Sequence, residues 1–133
     1  MRSSIIVLVC VLLTAMTVSA QRIPANVKKA FAAAYPAATS AKWEKEKGNF
    51  EVGFALNGQK MSLLYLPDGI VAETETAIPV EALPAKAKAY AAAIGKITEA
   101  AKIILANGTV RYEVEVKKQD LIFDEAGNFI SKD

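Results

Sequence analysis

The sequence contains no histidine, and its one cysteine, Cys10, lies in an apolar run near the N-terminus. Without histidine, and without cysteine in the rest of the chain, neither a Ser-His-Asp nor a Cys-His nucleophile can form. Zinc sites built on these residues, thiol redox chemistry and haem ligation are excluded for the same reason. The seven glycines are not grouped into a phosphate-binding loop. The sequence therefore predicts a protein that is not an enzyme and that holds no metal or other cofactor.

Carboxylates remain as candidates for chemistry. Glu113 and Glu115 alternate along one predicted strand, as solvation of an exposed face requires, so their placement does not support a glycosidase pair. Asp68-Gly69 and the segment 124–128 are too short and too poor in oxygen ligands for an EF-hand. Because Asp and Gly are ordinary turn residues, we predict turns at both places.

The N-terminus has the organisation of a signal peptide. Arg2 supplies a positive charge, residues 5–13 form an apolar segment, and Val18-Ser19-Ala20 provide a small-residue cleavage site. Cys10 is not preceded by the small residues of a lipidation site, so we reject a lipoprotein. We predict that residues 1–20 are removed by cleavage after Ala20 and that the protein is periplasmic or secreted.

The remaining residues, 21–133, have an almost neutral charge balance. They carry 15 basic and 14 acidic side chains and no cysteine. Such a balance gives no electrostatic argument for binding to nucleic acid or to an anionic membrane. The apolar N-terminal run is shorter than the roughly 20 residues of a membrane span. We therefore expect a single domain that folds without disulfides, binds no nucleic acid and has no stable membrane anchor after cleavage.

The clearest local signal is a hairpin centred on Asn57-Gly58. Asn-Gly between two runs of alternating apolar residues is typical of a type I′ turn, because both central residues need positive φ. The turn fixes the register and places six apolar side chains on one face: Phe50 opposite Tyr65, Val52 opposite Leu63, and Phe54 opposite Met61. This face needs a cover, and the alanine-rich segment upstream is the best candidate.

The same order of elements occurs twice. Apolar residues at three- and four-residue steps predict a helix over 25–35, ended by Pro36, and strands follow at 39–47, in the central hairpin and at 70–77. A second alanine-rich helix is predicted at 85–94, followed by strands at 97–106, 109–117, 119–123 and 129–132. We predict an α+β fold of two tandem repeats, about 23–77 and 78–133, each with one helix packed on about four antiparallel strands.

Two further hairpin turns are predicted. Gly48-Asn49 leads into the central hairpin. Asn107-Gly108 is predicted to be a second type I′ turn, which pairs Leu105 with Val110, Ile103 with Tyr112, and Lys102 with Glu113.

Several short motifs resemble those of a known family. They are Tyr35-Pro36-Ala37-Ala38, Trp43-Glu44, Phe50-Glu51-Val52-Gly53-Phe54, Pro67-Asp68-Gly69 and Leu83-Pro84. Together they resemble the PepSY-like family of secreted proteins, also described as β-lactamase-inhibitor-protein-like, over about residues 24–130. The resemblance implies a tandem α+β fold exported by Gram-negative bacteria, often of the Bacteroidetes type. It implies little about activity, because the family name records a likeness of fold. The second half lacks counterparts of Trp43 and of Tyr35-Pro36, so a function tied to them would occur once.

Five residues are candidates for a binding site. A two-residue turn before the central hairpin would place Trp43 on the core side, whereas a loop one residue longer would place it across from Gly53, on the opposite face. That opposite face also carries Leu64 and small residues, which would admit a partner backbone or an apolar ligand unless the second repeat covers them. Tyr65 and Tyr112 complete the set as aromatic anchors, on condition that they are exposed.

We expect an exported, non-enzymatic module that binds a protein or peptide on a concave sheet face. The family description suggests inhibition of an envelope or extracellular hydrolase. Two alternatives are carriage or sensing of a small apolar ligand between helix and sheet, and a purely structural role in the envelope. The partner, the strand order and the oligomeric state are not predicted.

Overall fold

The computed structural model describes residues 22–133, so the predicted signal peptide and its cleavage site lie outside the described residues. The chain forms, in order, α1 (Ala25–Ala34), β1 (Thr39–Glu46), β2 (Asn49–Leu56), β3 (Gln59–Tyr65), β4 (Val71–Ala77), a short 3₁₀ helix (Val80–Ala82), α2 (Ala85–Ile94), β5 (Ile97–Leu105), β6 (Val110–Val116), β7 (Gln119–Asp124) and β8 (Phe129–Lys132).

The eight strands form one sheet in the order of the chain, from β1 to β8. Every neighbouring pair is antiparallel. The predicted α+β class and the predicted antiparallel strands are thereby confirmed. The two halves join through β4 and β5, which pair across the connection that contains α2.

Proline sets the start of both helices. Pro24 precedes α1 and Pro84 precedes α2; because a helix leaves its first N–H groups unpaired, proline removes no internal hydrogen bond there. Pro36 pushes Tyr35 out of the α region, and α1 ends at Ala34.

The central hairpin has the predicted register. Asn57 and Gly58 both have positive φ, 51° and 77°, as a type I′ turn requires. The observed pairs are the predicted ones: Phe50 with Tyr65, Val52 with Leu63, and Phe54 with Met61. The strongest turn signal in the sequence therefore determines the local structure.

The turn before this hairpin lies one residue earlier than predicted. Lys47 and Gly48, not Gly48 and Asn49, have the positive φ values, 48° and 83°, and Asn49 already pairs with Glu46. Lysine tolerates the left-handed conformation at a solvated turn, at a small energetic cost. Since both loops contain two residues, the side of the sheet assigned to each β1 residue does not change.

The register between β5 and β6 was predicted wrongly. Gly108 has φ +84°, but Asn107 does not have positive φ. The Gly108 N–H donates to the Leu105 carbonyl at 2.8 Å, and Asn107 Oδ1 accepts from the Thr109 N–H at 3.0 Å. The loop is therefore a turn followed by one left-handed glycine, three residues long. Because this is one residue more than the predicted loop, the pairing shifts by one.

The shift changes which side chains are opposite each other. Lys102 pairs with Tyr112, Ile103 with Arg111, and Ala101 with Glu113. A one-residue shift moves every side chain of a strand to the other face. Ile103 therefore does not share a face with Tyr112, contrary to the prediction.

The core consists of two buried clusters, one in each half. The first combines Val27 and Phe31 of α1 with five residues of β2 and β3: Phe50, Val52, Phe54, Leu63 and Tyr65. The second combines Ala87 and Ala91 of α2 with Leu83 and residues of the last four strands: Ala100, Val114, Val116, Leu121 and Phe123. Cross-strand pairing shows that both clusters lie on the same side of the sheet. The pairing runs from Val52 through Leu63, Thr74 and Ile104 to Val110. We call this side the helix-bearing face.

Candidate functional site

The opposite side of the sheet is covered by no helix among residues 22–133, and we call it the open face. Cross-strand pairing aligns one row of its residues from β2 to β6: Gly53, Ser62, Glu75, Ile103 and Arg111. The next row contains Ala101, Glu113 and Ile122. The open face therefore extends over both repeats and has a mixed polar and apolar surface.

Acidic side chains dominate the open face. Register and mutual interactions place ten acidic residues of the strands on it: Glu44, Glu46, Glu51, Glu73, Glu75, Glu99, Glu113, Glu115, Asp120 and Asp124. The strands contribute three basic side chains to the same face, Lys42, Lys60 and Arg111. The near-neutral chain is thus strongly polarised, because most of the other lysines lie on the helices, in the turns and on the helix-bearing face.

The sheet curves toward the open face. Ile103 and Ile122 are only 2% and 3% exposed, although no helix among the described residues covers them. Glu75 on β4 also interacts electrostatically with Glu46 on β1 and with Asp120 on β7. In a flat sheet, strands three positions apart are separated by about 14 Å. Curvature brings these side chains together, and together they shield Ile103 and Ile122 from solvent.

The position of Glu75 is unfavourable for a negative charge. Burial is the main cause that raises its pKa, to about 7, and the neighbouring charges of Asp120, Glu73, Glu99 and Glu46 raise it further. Loss of hydration and like charges both disfavour the ionised form. A cation brought to this point would relieve both effects.

Two other carboxyls on the open face behave in the same way. Burial, a hydrogen bond with the Glu46 carboxyl and nearby acidic groups raise the pKa of Glu51 to about 8. Burial and the charges of Glu115, Asp133 and Glu99 raise the pKa of Asp120 to about 6. Near neutral pH these groups are therefore partly protonated and respond to any change in local charge.

Adjacent strands bring Glu99, Glu115 and Asp120 side by side. Thr98 Oγ1 donates to Glu115 Oε1 at 2.8 Å. In contrast, Glu99 Oε2 is shielded from solvent and has no hydrogen-bond partner among the described residues. Within residues 22–133, no group of three acidic side chains is arranged to hold a metal ion.

Small residues leave open space at one point of the open face, above Gly53. A Cβ atom added to Gly53 would meet no heavy atom within 4 Å. Small Ser62 lies directly opposite Gly53, and Ala55 is two residues along the same strand. Glycine inside a strand weakens the strand and often marks a place where a ligand or another backbone approaches closely. Among the described residues, nothing occupies the space above Gly53.

The five predicted binding residues do not form one site. Gly53 and Leu64 lie on the open face, because Leu64 pairs with Glu51 and Glu73. Trp43, Tyr65 and Tyr112 lie on the helix-bearing face, as their pairing with Val52, Phe50 and Phe123 shows. The three aromatic residues therefore cannot be the anchors of a binding surface centred on Gly53.

Trp43 packs against the first core cluster and is half-buried. Its ring meets Phe31 edge-on, with ring centroids 5.5 Å apart, and lies 6.0 Å from the Tyr65 ring. This is the core-side position favoured for a two-residue turn. Tyr112 is likewise half-buried and packs against the second cluster.

Tyr65 is a core residue, only 1% exposed, and the condition for its role as an anchor is therefore not met. Burial and the neighbouring Tyr35 raise the pKa of Tyr65, and its hydroxyl has no hydrogen-bond partner among the described residues. A buried polar group without a partner carries a desolvation cost.

Replacing Tyr65 by phenylalanine is expected to raise the free energy of unfolding by about 0.5–1 kcal/mol, because the ring contacts stay while the unpartnered hydroxyl is removed. Denaturant unfolding of both proteins measures the difference. Tyr90→Phe, at an exposed position, is the control and should change stability little. A loss of 1 kcal/mol or more in Tyr65→Phe would show that the hydroxyl has a stabilising partner.

Sequence reasoning missed the acidic character of the open face. The alternation of Glu113 and Glu115 predicts a solvated strand face, yet Glu113 is only 5% exposed. The alternation of glutamates was visible in three strands, at Glu44 and Glu46, at Glu73 and Glu75, and at Glu113 and Glu115. Without the strand order, nothing indicated that all three strands present their glutamates on the same side.

The sequence matches a family model provisionally described as beta-lactamase-inhibitor-like, PepSY-like, at residues 12–72 and again at 63–131. The chain belongs to this family. Two consecutive matches to one family model indicate a tandem repeat, and the resemblance noted in the sequence is confirmed. A comparison with curated proteins finds no match.

Solved structures with a similar fold come from Bacteroides. A protein of Bacteroides eggerthii, provisionally described as periplasmic, superimposes with a TM-score of 0.69 at 20% identity, covering 84% of this chain and 88% of that one. A DUF2874 family protein of Bacteroides uniformis gives 0.68 at 19% identity, covering 84% and 89%. A BLIP-like protein of Bacteroides fragilis gives 0.60 at 19% identity, covering 85% and 88%. At these identities the likeness concerns the fold.

No helix within residues 22–133 is long and apolar enough to cross a membrane.

Proposed function

We propose that this PepSY-like protein is an exported, non-enzymatic module that binds a protein or peptide on its open face. The observation that supports this most directly is a curved sheet face, spanning both repeats, that no helix among the described residues covers. Its partly exposed apolar residues, Leu64 and Leu105, and the acidic side chains around them have the mixed character of a protein interface. The family's inhibitor-like description and a neighbour's description as periplasmic support a partner such as a hydrolase of the periplasm or the extracellular space.

The open space above Gly53 allows a steric test. Gly53→Tyr places a large side chain in open space on the open face, whereas Ala92→Tyr adds the same bulk at an exposed position on α2. A photoactivatable amino acid at Ser62 would crosslink a bound protein in an envelope extract of the source organism. We expect crosslinked product with the parent protein and with Ala92→Tyr, and its loss with Gly53→Tyr. Equal crosslinking in all three, or none in any, would contradict binding at this face.

The fold itself does not require glycine at position 53. Gly53→Val should raise the free energy of unfolding by about 0.5–1 kcal/mol, because glycine inside a strand loses more chain entropy than other residues and valine favours strands. Thermal unfolding measures the gain. In the crosslinking assay, the same variant should bind less well than the parent protein. A more stable protein that binds less well would show that Gly53 serves binding; a loss of stability would mean that the space above Gly53 is not open.

A further inference from the structure

We propose that the open face docks a lysine- and arginine-rich segment of its protein partner. This inference rests on the proposed function, since it names the chemistry of the partner that the open face binds. It starts from the charge of the open face, to which the strands contribute ten acidic side chains and three basic ones.

Charge complementarity selects a cationic partner. The carboxyls of Glu46, Glu73, Glu99 and Asp120 interact with Glu75 from four other positions of the face. In the free protein this repulsion is a cost, and a positively charged partner would turn the same field into attraction. An acidic or nucleic-acid partner would increase the repulsion.

The half-buried apolar residues of the open face suit long basic side chains. Leu64 lies between Glu51 and Glu73, and Leu105 lies opposite Glu73; both leucines are only partly buried. Lysine and arginine bury an apolar stem while their charged end reaches a carboxylate. A face that alternates apolar and acidic groups matches both parts of such side chains.

A separate observation points to a missing hydrogen-bond donor. Glu99 Oε2 is shielded from solvent and has no hydrogen-bond partner among the described residues. The adjacent Glu115 accepts from Thr98, so the two neighbouring carboxyls differ in this respect. An ammonium or guanidinium group supplies the donor and the compensating charge together. The space above Gly53 provides room for the partner's backbone at the other end of the face.

Fluorescently labelled nonalysine is a direct probe. Its anisotropy is measured with the chain from residue 21 to 133 at pH 8 and 20 mM NaCl. We expect binding that weakens about tenfold or more at 300 mM NaCl, because salt screens exposed charges. The double variant Glu75→Gln/Glu99→Gln should weaken binding about fivefold or more. Glu81→Gln/Glu125→Gln makes the same change in net charge at exposed positions off the open face, and should change it less than about twofold.

Several results would overturn the inference. The first is that nonalysine does not bind at 20 mM NaCl. The second is that both double variants lose the same affinity for nonalysine. The third is that labelled nonaglutamate binds as tightly as nonalysine. Sedimentation at 20 mM NaCl tests a second copy as the occupant. Self-association that Glu75→Gln/Glu99→Gln abolishes would assign the face to a second copy and would likewise overturn a basic partner.

The crosslinking assay separates this inference from the proposed function. If the Ser62 crosslink persists in Glu75→Gln/Glu99→Gln and at 300 mM NaCl but disappears in Gly53→Tyr, the binding module stands and the basic partner is wrong. If no crosslink forms while nonalysine binds selectively, the acidic face attracts cations but protein binding in the envelope is wrong.

Discussion

Replacing Gly127 by alanine is expected to lower the free energy of unfolding by about 3 kcal/mol. Gly127 is buried in the turn between β7 and β8, with φ +90°. An added Cβ would lie 3.0 Å from the backbone nitrogen of Ala87, 3.0 Å from the Cβ of Pro84 and 3.1 Å from the Cβ of Lys86. Since these atoms form the first turn of α2, they cannot rotate away. The turn and the helix would have to separate.

Gly69 is a matched control for this prediction. It occupies the equivalent turn of the first repeat with almost the same φ, +86°, but an added Cβ would meet Asn26 and Ala30 at 3.7–3.8 Å, an ordinary contact. Gly69→Ala should therefore cost only the backbone strain, about 1 kcal/mol. The difference between the losses of unfolding free energy in the two variants is therefore the cost of the close contact with α2.

Denaturant unfolding of the two variants measures this difference, and thermal unfolding should show a melting temperature roughly 10–20 °C lower for Gly127→Ala. If both variants lost the same stability, backbone strain alone would explain the effect. The contact between α2 and the turn would then contribute nothing to holding the second helix in place.

The sequence predicted the structure best where a single turn determines many cross-strand residue pairs. Asn57-Gly58 fixed seven pairs of the central hairpin, because positive φ at two successive positions leaves few alternatives. The error at Gly48-Asn49 did not change the assignment of faces, since the observed loop also has two residues. The error at Asn107-Gly108 did, because Asn107 uses its side chain to accept the Thr109 N–H instead of adopting positive φ.

The candidate site depends on features that are distant in the sequence. Glu46, Glu75 and Asp120 come from three hairpins and interact because β4 and β5 join the two repeats and the sheet curves. Neither the joining pair nor the curvature follows from local patterns. The aromatic residues were misleading for a related reason: Tyr65 and Tyr112 face the helices, where their size fills the core.

Stability is expected to fall as the pH rises from about 5 to about 8.5. The pKa values of Glu51, Glu75 and Asp120 in the folded protein, about 8, 7 and 6, lie above their ordinary values of 4.5, 4.5 and 3.8. Between the ordinary and the raised value, the folded state binds more protons than the unfolded state. Stability therefore decreases with rising pH, and the loss is complete above the folded pKa.

The size of this effect is limited by solvent screening around Glu51 and Asp120. After allowing for screening, we expect a loss of about 2 kcal/mol, or roughly 10 °C in melting temperature, between pH 5 and pH 8.5. Thermal unfolding at constant ionic strength measures it. The lowered pKa of Asp124, whose carboxylate accepts hydrogen bonds from Asn128, acts in the opposite direction but only at more acidic pH.

The variant Glu75→Gln tests whether the pH dependence of stability arises from the carboxyls of the open face. The amide has no charge to desolvate and does not repel Asp120 or Glu46, so the variant should be about 1–2 kcal/mol more stable than the parent protein at pH 8.5. At pH 5, where Glu75 is already protonated, the two proteins should have nearly equal stability. Glu81→Gln, at an exposed position in the 3₁₀ helix, should leave the pH profile unchanged.

A parent profile that is flat from pH 5 to 8.5 would mean that the carboxyls of the open face are solvated and far enough apart to ionise independently. The acidic face would then cost the folded protein nothing, and a cationic partner would have no repulsion to relieve.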